Sequence, residues 1–278
     1  MYRITFPFEG LRDSELALSE LQDLLNALVG IDMLYLSAHP EVPPLAQSGV
    51  RYADDALPKL GIPLPHTQER WQDIPSSLET SQAGNKDLVA WRVAELRLKG
   101  VNAQALMVQN KGMFADGYRA VVQLPNGQTE DISGGQGWVS VRGRHRIEVL
   151  LGLFNGDKDR DLSNKSLDML LTALTRIDVR YLLRHPETPL LYQSNVRYEE
   201  EPPGQEDWQD IPTCLRMGTA DCEDLAAWCA AEYQVRFAVP AKAFYKSFTK
   251  SDGSVLYHIM VQHPDGRVED PSRALGMR

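Results

Sequence analysis

Three residues in the C-terminal half of the chain have the types and the order of a thiol catalytic group: Cys222, then His258, then Asp270. A thiolate attacks carbonyl carbon, an imidazole can take the thiol proton, and a carboxylate can orient the imidazole. Cys222 falls in the run Gly218-Thr219-Ala220-Asp221-Cys222-Glu223-Asp224-Leu225, which reads as a loop entering a helix. Asp221 is a good N-cap, and Asp224 three residues on resembles the acidic member of a capping box. Leu225, Ala226, Cys229, Ala230 and Tyr233 then recur at helical spacing. The positive end of such a helix favours thiolate over thiol. A small residue simply buried at a helix start is the plainer alternative.

The other two residues belong to a hairpin. Residues 255–262 (VLYHIMVQ) have the pattern of a strand, Pro264-Asp265-Gly266 is a turn signal, and residues 267–270 (RVED) return. A three-residue loop pairs His263 with Arg267 and sets Asp270 opposite Met260, on the face that carries His258. A two-residue loop puts Asp270 on the other face, and the sequence leaves both open. An oxyanion needs donors. The backbone N–H of Cys222 is one candidate, and the Trp208-Gln209 segment offers an indole N–H and an amide.

The elements that must position these residues occur twice. Residues 35–52 (YLSAHPEVPPLAQSGVRY) match residues 181–198 (YLLRHPETPLLYQSNVRY) at 12 of 18 positions. The run Trp71-Gln72-Asp73-Ile74-Pro75 returns as Trp208-Gln209-Asp210-Ile211-Pro212, and Asp87-Leu88-Val89-Ala90-Trp91 returns as Asp224-Leu225-Ala226-Ala227-Trp228. Residues 122–133 (VQLPNGQTEDIS) match residues 261–272 (VQHPDGRVEDPS). A period of domain size means two copies of one domain. The first copy has a longer loop over residues 53–70, with Pro58, Pro63 and Pro65, where the second has only residues 199–204.

The glycine-rich residues 134–137 suggest a boundary, giving copies over residues 1–137 and 138–278. Residues 139–141 and 146–151 after it read as strands, the second a match for the N-terminal strand. Helices are expected over residues 14–29 and 163–175. The strands expected in each copy after its central helix are residues 103–109, 118–124 and 128–131, then 241–248, 255–262 and 267–270. One helix on a mainly antiparallel sheet, repeated, is an α+β fold.

The duplicate is an internal control. Asp224, Trp228 and Asp270 have counterparts in Asp87, Trp91 and Asp131, so the fold itself can account for them. His39 and His185 recur in the same way. Cys222 meets Asn85, Asp221 meets Gly84, Glu223 meets Lys86 and His258 meets Arg119. Asparagine is no nucleophile and arginine no base. Nucleophile and base are thus absent together from one copy and present together in the other.

Composition narrows the function further. The 278 residues are 43% hydrophobic, enough to bury a core, and the net charge of −9 comes without any basic block, so nucleic acid is not an expected partner. No run has the length of a membrane helix, and no signal peptide opens the chain. Cys214, Cys222 and Cys229 fit a reducing compartment and suggest neither a disulfide framework nor a zinc site. The expected location is cytoplasmic.

The Asp-Cys-Glu-Asp run, the strand histidine and the later Glu-Asp-Pro resemble the transglutaminase-like cysteine protease superfamily, and within it the bacterial transglutaminase-like cysteine proteinases. The resemblance covers about Trp208 to the C-terminus. It implies a papain-like α+β core and a Cys222 nucleophile, His258 base and Asp270 orienter acting through a thioester, with no cofactor. It favours hydrolysis of a protein or peptide over transfer to a lysine amine. The first copy would be a degenerate, inactive repeat. Some members of that group bind calcium through acidic residues flanking the cysteine. Asp221 and Glu223 match that pattern, but two carboxylates fall short of the roughly 6–8 oxygens calcium takes, so no metal is expected. A different class of protein fits the doubling as well: a non-catalytic structural or interaction protein, a homo-oligomer or part of a larger assembly, and virion-located if phage-encoded.

Overall fold

Each copy opens its helical part with a long helix that runs on until a proline stops it. The residue before proline is disfavoured in the α region, and both helices end just short of a His-Pro pair. The computed structural model describes residues 2–8, 14–53, 66–111, 116–140, 144–152, 160–202, 205–249 and 255–277. In it α1 (Ser14–Ala38) and α4 (Arg160–Arg184) extend well past the spans the periodicity suggests. Packing carries them on. Ile31 and Ile177 are fully buried, and Asp32 and Asp178 accept the backbone N–H of Ile74 and Ile211, each at 3.0 Å.

The architecture is mixed α/β, with seven α-helices and several small sheets among the described residues. The chain divides into two compact units, Met1–Ser166 and Leu167–Arg278. Among the described residues no helix is long and apolar enough to cross a membrane.

In the first unit a strand β1 (Tyr2–Phe8) precedes α1. A 3-10 turn (Leu45–Gln47) and β2 (Arg51–Tyr52) follow, then β3 (His66–Gln72), α2 (Ile74–Thr80), β4 (Gln82–Ala83) and the central helix α3 (Asn85–Leu98). The antiparallel hairpin β5 (Gln104–Lys111) and β6 (Asp116–Gln123) is extended along one edge of β6 by β7 (Thr129–Glu130) and β8 (Val139–Ser140). The final strand of the unit is β9 (Arg144–Leu151).

The second unit follows the same plan. It comprises most of α4, a 3-10 turn (Leu191–Gln193), β10 (Arg197–Tyr198), α5 (Ile211–Met217), β11 (Thr219–Ala220) and the central helix α6 (Cys222–Arg236). The hairpin β12 (Lys242–Thr249) and β13 (Val255–Gln262) is followed by β14 (Val268–Glu269) and a short α7 (Pro271–Ala274). Helix α6 is buried almost all round, from Glu223 to Glu232, and four alanines let it pack closely against β12 and β13.

Two expectations about boundaries change. Residues 146–151 do not open the second unit. They belong to β9, which pairs antiparallel with β1 (Ile4↔Val149) and parallel with β3 (Trp71↔Val149). The compact units therefore part at Ser166, not near residue 137. Of the loop over residues 53–70, residues 54–65, with Pro58, Pro63 and Pro65, lie outside the described residues, while residues 66–70 form β3. Both differences come from long-range ladder pairing, which local patterns do not encode.

The carboxylates shared by the copies are structural in both. Asp87 accepts the N–H of Gln72 (2.9 Å) and of Gly84 (2.8 Å), while Asp224 accepts those of Gln209 (2.7 Å) and Asp221 (3.3 Å). Asp73 and Asp210 cap α2 and α5 through Ser76 and Thr213. Trp91 and Trp228 are core residues. His39 and His185 stack on Tyr35 and Tyr181 and bond Glu41 and Glu187.

Candidate active site

Cys222 begins α6, with Asp221 as the N-cap residue. Its sulfur accepts a hydrogen bond from the backbone N–H of Ile259 on β13, so it lies one position along that strand from His258. On the same hairpin, His263 N–H donates to Arg267 O at 2.9 Å and closes a turn over residues 264–266, with Gly266 at φ +85°. This is the three-residue loop. It puts Asp270 next to the Val261↔Glu269 pair, and Asp270 Oδ2 lies 3.0 Å from His258 Nε2. His258 is buried and Cys222 half-buried. With Nε2 engaged by the carboxylate, Nδ1 is the nitrogen left for a thiol proton.

The first unit keeps this geometry with other chemistry. Asn85 begins α3, and its side chain both accepts from Ala120 N–H (2.6 Å) and donates to Ala120 O (3.0 Å). Ala120 is the counterpart of Ile259. Arg119 pairs with Asp131 at 2.6 Å, as His258 does with Asp270. The carboxylate thus needs a cationic or donor partner in either copy, which explains why it persists without a histidine.

The surroundings of the thiol differ from the expectation of a stabilised thiolate. Burial, then the Glu223 and Asp221 carboxylates, push the Cys222 thiol well above its ordinary value. The thiol donates to Glu223 Oε2 at 3.2 Å. A helix terminus contributes about half an elementary charge at most, so a full charge on the adjacent Glu223 carboxylate outweighs it. Cys214 and Cys229 are buried free thiols, also pushed up chiefly by burial.

Glu201 joins Asp221 and Glu223, with one oxygen from each lying within 4.8 Å of the others. Asp221 Oδ1 and Glu223 Oε1 are buried with no hydrogen-bond partner. Burial and the neighbouring acids push Asp221 up well beyond the carboxylate range, and burial first of all lifts Glu201 to about 7. In the first unit the same place is electrically balanced. Lys86, the counterpart of Glu223, is 3.0 Å from Glu69 Oε2, to which Trp71 also donates, while Tyr118 donates to Oε1. Burial alone would raise Glu69, but that ammonium and those donors hold it below its ordinary value. Three converging carboxylates, two of them with an orphaned buried oxygen, fit a divalent cation. The sequence offered only Asp221 and Glu223; Glu201, twenty residues or more away in the chain, arrives through the fold.

Trp208 is buried, and the backbone N–H of Gln209 is taken by Asp224, so that N–H cannot serve an oxyanion. Tyr198 was not singled out by its sequence. It lies beside Cys222: burial and then the cysteine push its phenol up. The repeat held the signal, since Tyr52 and Tyr198 are identical and close the most similar segment of the two copies.

No family model, no curated protein and no solved structure matches the chain.

Proposed function

We propose that the second unit is a cysteine hydrolase of transglutaminase-like, papain-like kind, acting on peptide or amide bonds, and that the first unit is its catalytically inert copy. The observation that carries this reading is the His258–Asp270 contact at 3.0 Å beside a helix-terminal thiol anchored on the next residue of the same strand. His258 Nδ1 takes the Cys222 proton while Asp270 holds the ring through Nε2. The sulfur adds to a carbonyl carbon, and a thioester forms as the amine leaves with the proton. Water then releases the acid. The Cys222 N–H and the Tyr198 hydroxyl are candidate donors for an oxyanion, with Trp208 and the Gln209 side chain as further candidates. Glu201, Asp221 and Glu223 would hold a divalent cation, whose charge offsets the carboxylates that raise the thiol.

The test is the pH dependence of Cys222 alkylation by iodoacetamide, with Cys214 and Cys229 replaced by alanine, in the parent and in His258→Ala, each with and without millimolar calcium. Labelling below pH 7 that disappears in the histidine variant supports the reading. Labelling that needs pH above about 8.5 in every condition removes it.

A second reading has its own observation. The thiol as it stands is kept protonated by two carboxylates, as suits a doubled, non-catalytic interaction or structural protein such as a component of a phage particle. A lysine amine in place of water would make the same thioester a crosslink, which product analysis distinguishes.

A further inference from the structure

A segment of the first unit runs over the residue that stands where the second unit has its cysteine. Asn85 Nδ2 donates to Ser133 Oγ at 3.1 Å, and Ser133 Oγ donates on to Gln136 O at 2.8 Å. Gly137 follows at φ +83°, so close that a Cβ there would lie 2.5 Å from Asn85 Cβ and 3.4 Å from the Tyr52 hydroxyl. The Trp138 ring then lies 4.8 Å from the Arg119 guanidinium. Finally β8 pairs antiparallel with β6, Val139 opposite Tyr118 and Ser140 opposite Gly117. Asn85, Tyr52, Arg119, Tyr118 and Gly117 are the counterparts of Cys222, Tyr198, His258, Tyr257 and Leu256. The segment therefore crosses the positions that the hydrolase reading gives to the nucleophile, the base and one oxyanion donor.

In the second unit the same lane is open among the described residues. Among the described residues strand β13 pairs only with β12 and β14, which leaves its edge at Leu256 and Tyr257 without a ladder partner there. Tyr257 is 47% exposed where Tyr118 is 1% exposed. A Cβ at Gly276, the residue in register with Gly137, would meet nothing within 4 Å. An unpaired strand edge accepts an extended peptide as an added strand.

We propose that the second unit binds an extended peptide in this lane, with glycine over Cys222, an aromatic residue over His258, and the next two residues paired antiparallel to Tyr257 and Leu256. Glycine follows from the pattern of the first unit, where the left-handed φ of Gly137 disfavours any side chain and a Cβ there would collide with Asn85, the first residue of the central helix. The substrate class is a peptide with a Gly–aromatic bond. This deepens the hydrolase reading and rests on it for the chemistry alone. The Cys222 sulfur bonds to the glycine carbonyl carbon and the Gly–aromatic C–N bond breaks. The leaving amine takes the proton that His258 received from the thiol. Water then displaces the sulfur, giving the glycine carboxylate and the free thiol.

The probe is a fluorescein-labelled peptide with the sequence of residues 131–140 (DISGGQGWVS), titrated by anisotropy against the full chain carrying Cys222→Ala. Saturable binding is expected, weakened at least about fivefold by Gly137→Ala in the peptide, the low end of what overpacking of this kind costs. N-methylation of the Val139 and Ser140 amides should weaken it similarly. These changes leave the protein untouched, so a folding defect cannot mimic them. No saturable binding, or equal binding of the alanine peptide, overturns the proposal. The chain with Cys222 intact separates the two claims. Binding to Cys222→Ala without cleavage of the Gly–Trp bond keeps the lane and removes the hydrolase reading. Cleavage of other peptides with no binding of this one does the reverse.

Discussion

Glu223→Gln isolates the charge that dominates the cysteine. The Glu223 carboxylate oxygen is 3.2 Å from the Cys222 sulfur. Two unit charges at that separation interact by about 5 kcal/mol at an effective dielectric of about 20 and by about 1.3 kcal/mol in water. Cys222 is only half-buried as a residue, so solvent screening places the effect toward the lower end, about 1.5–3 kcal/mol. That corresponds to a fall of about 1–2 units in the thiol pKa. Glutamine keeps the size and an acceptor oxygen and removes only the charge. The assay is the rate of iodoacetamide labelling against pH, followed by mass of the Cys222 peptide, with Cys214 and Cys229 replaced by alanine. The labelling midpoint should drop by about 1–2 units in the variant. Millimolar calcium should lower the parent's midpoint in the same direction and leave the variant nearly unchanged. A midpoint that stays put in Glu223→Gln, or rises, refutes the claim that this carboxylate holds the thiol protonated.

Other consequences concern stability and the inert copy. Glu201, lifted to about 7, binds more protons folded than unfolded between about pH 4.5 and 7. Without a divalent cation the chain should therefore lose stability as pH rises through that window, by at most about 3 kcal/mol and nearer 1 kcal/mol after screening of a part-exposed group. Urea unfolding at pH 5 and pH 8 should show that slope flattened in Glu201→Gln. Asp224→Ala and Asp87→Ala each strand two backbone N–H groups and should each cost about 2–4 kcal/mol in denaturant unfolding. A loss under about 1 kcal/mol in both would contradict their shared structural role. Asn85→Cys with Arg119→His should give a thiol that iodoacetamide reaches only after unfolding, because Gly137 packs on that position. Rapid native labelling would mean the segment does not cover it.

Much of the site was legible because it is written in local rules and then written again. The helix start at Cys222 follows from an acidic cap and a small-residue run, and the hairpin follows from a Pro-Asp-Gly turn between alternating strands. The repeat then sorted residues by role. Asp87 and Asp224 recur because backbone N–H groups must be satisfied in both units, while Cys222 and His258 differ together from Asn85 and Arg119. What could not be read locally was the loop length at residues 264–266, on which the face of Asp270 depends. One backbone hydrogen bond, His263 to Arg267, settles it.

The sequence by itself determined the duplication, the order of helices and hairpins, and the residues able to do thiol chemistry, because each depends on types and spacing along the chain. Only the tertiary structure decided what surrounds them. Strand β9 joined β1 and β3 and moved the division between units to Ser166, since ladder partners are chosen across long separations. Glu201 was carried beside Asp221 and Glu223 and changed the field at Asp221, since Coulomb forces depend on distance in space and not in sequence. The glycine-rich residues 134–137, which read as a domain boundary, became instead the cover of the first unit's Asn85, because a residue without a side chain, Gly137, is the one that fits against a helix start.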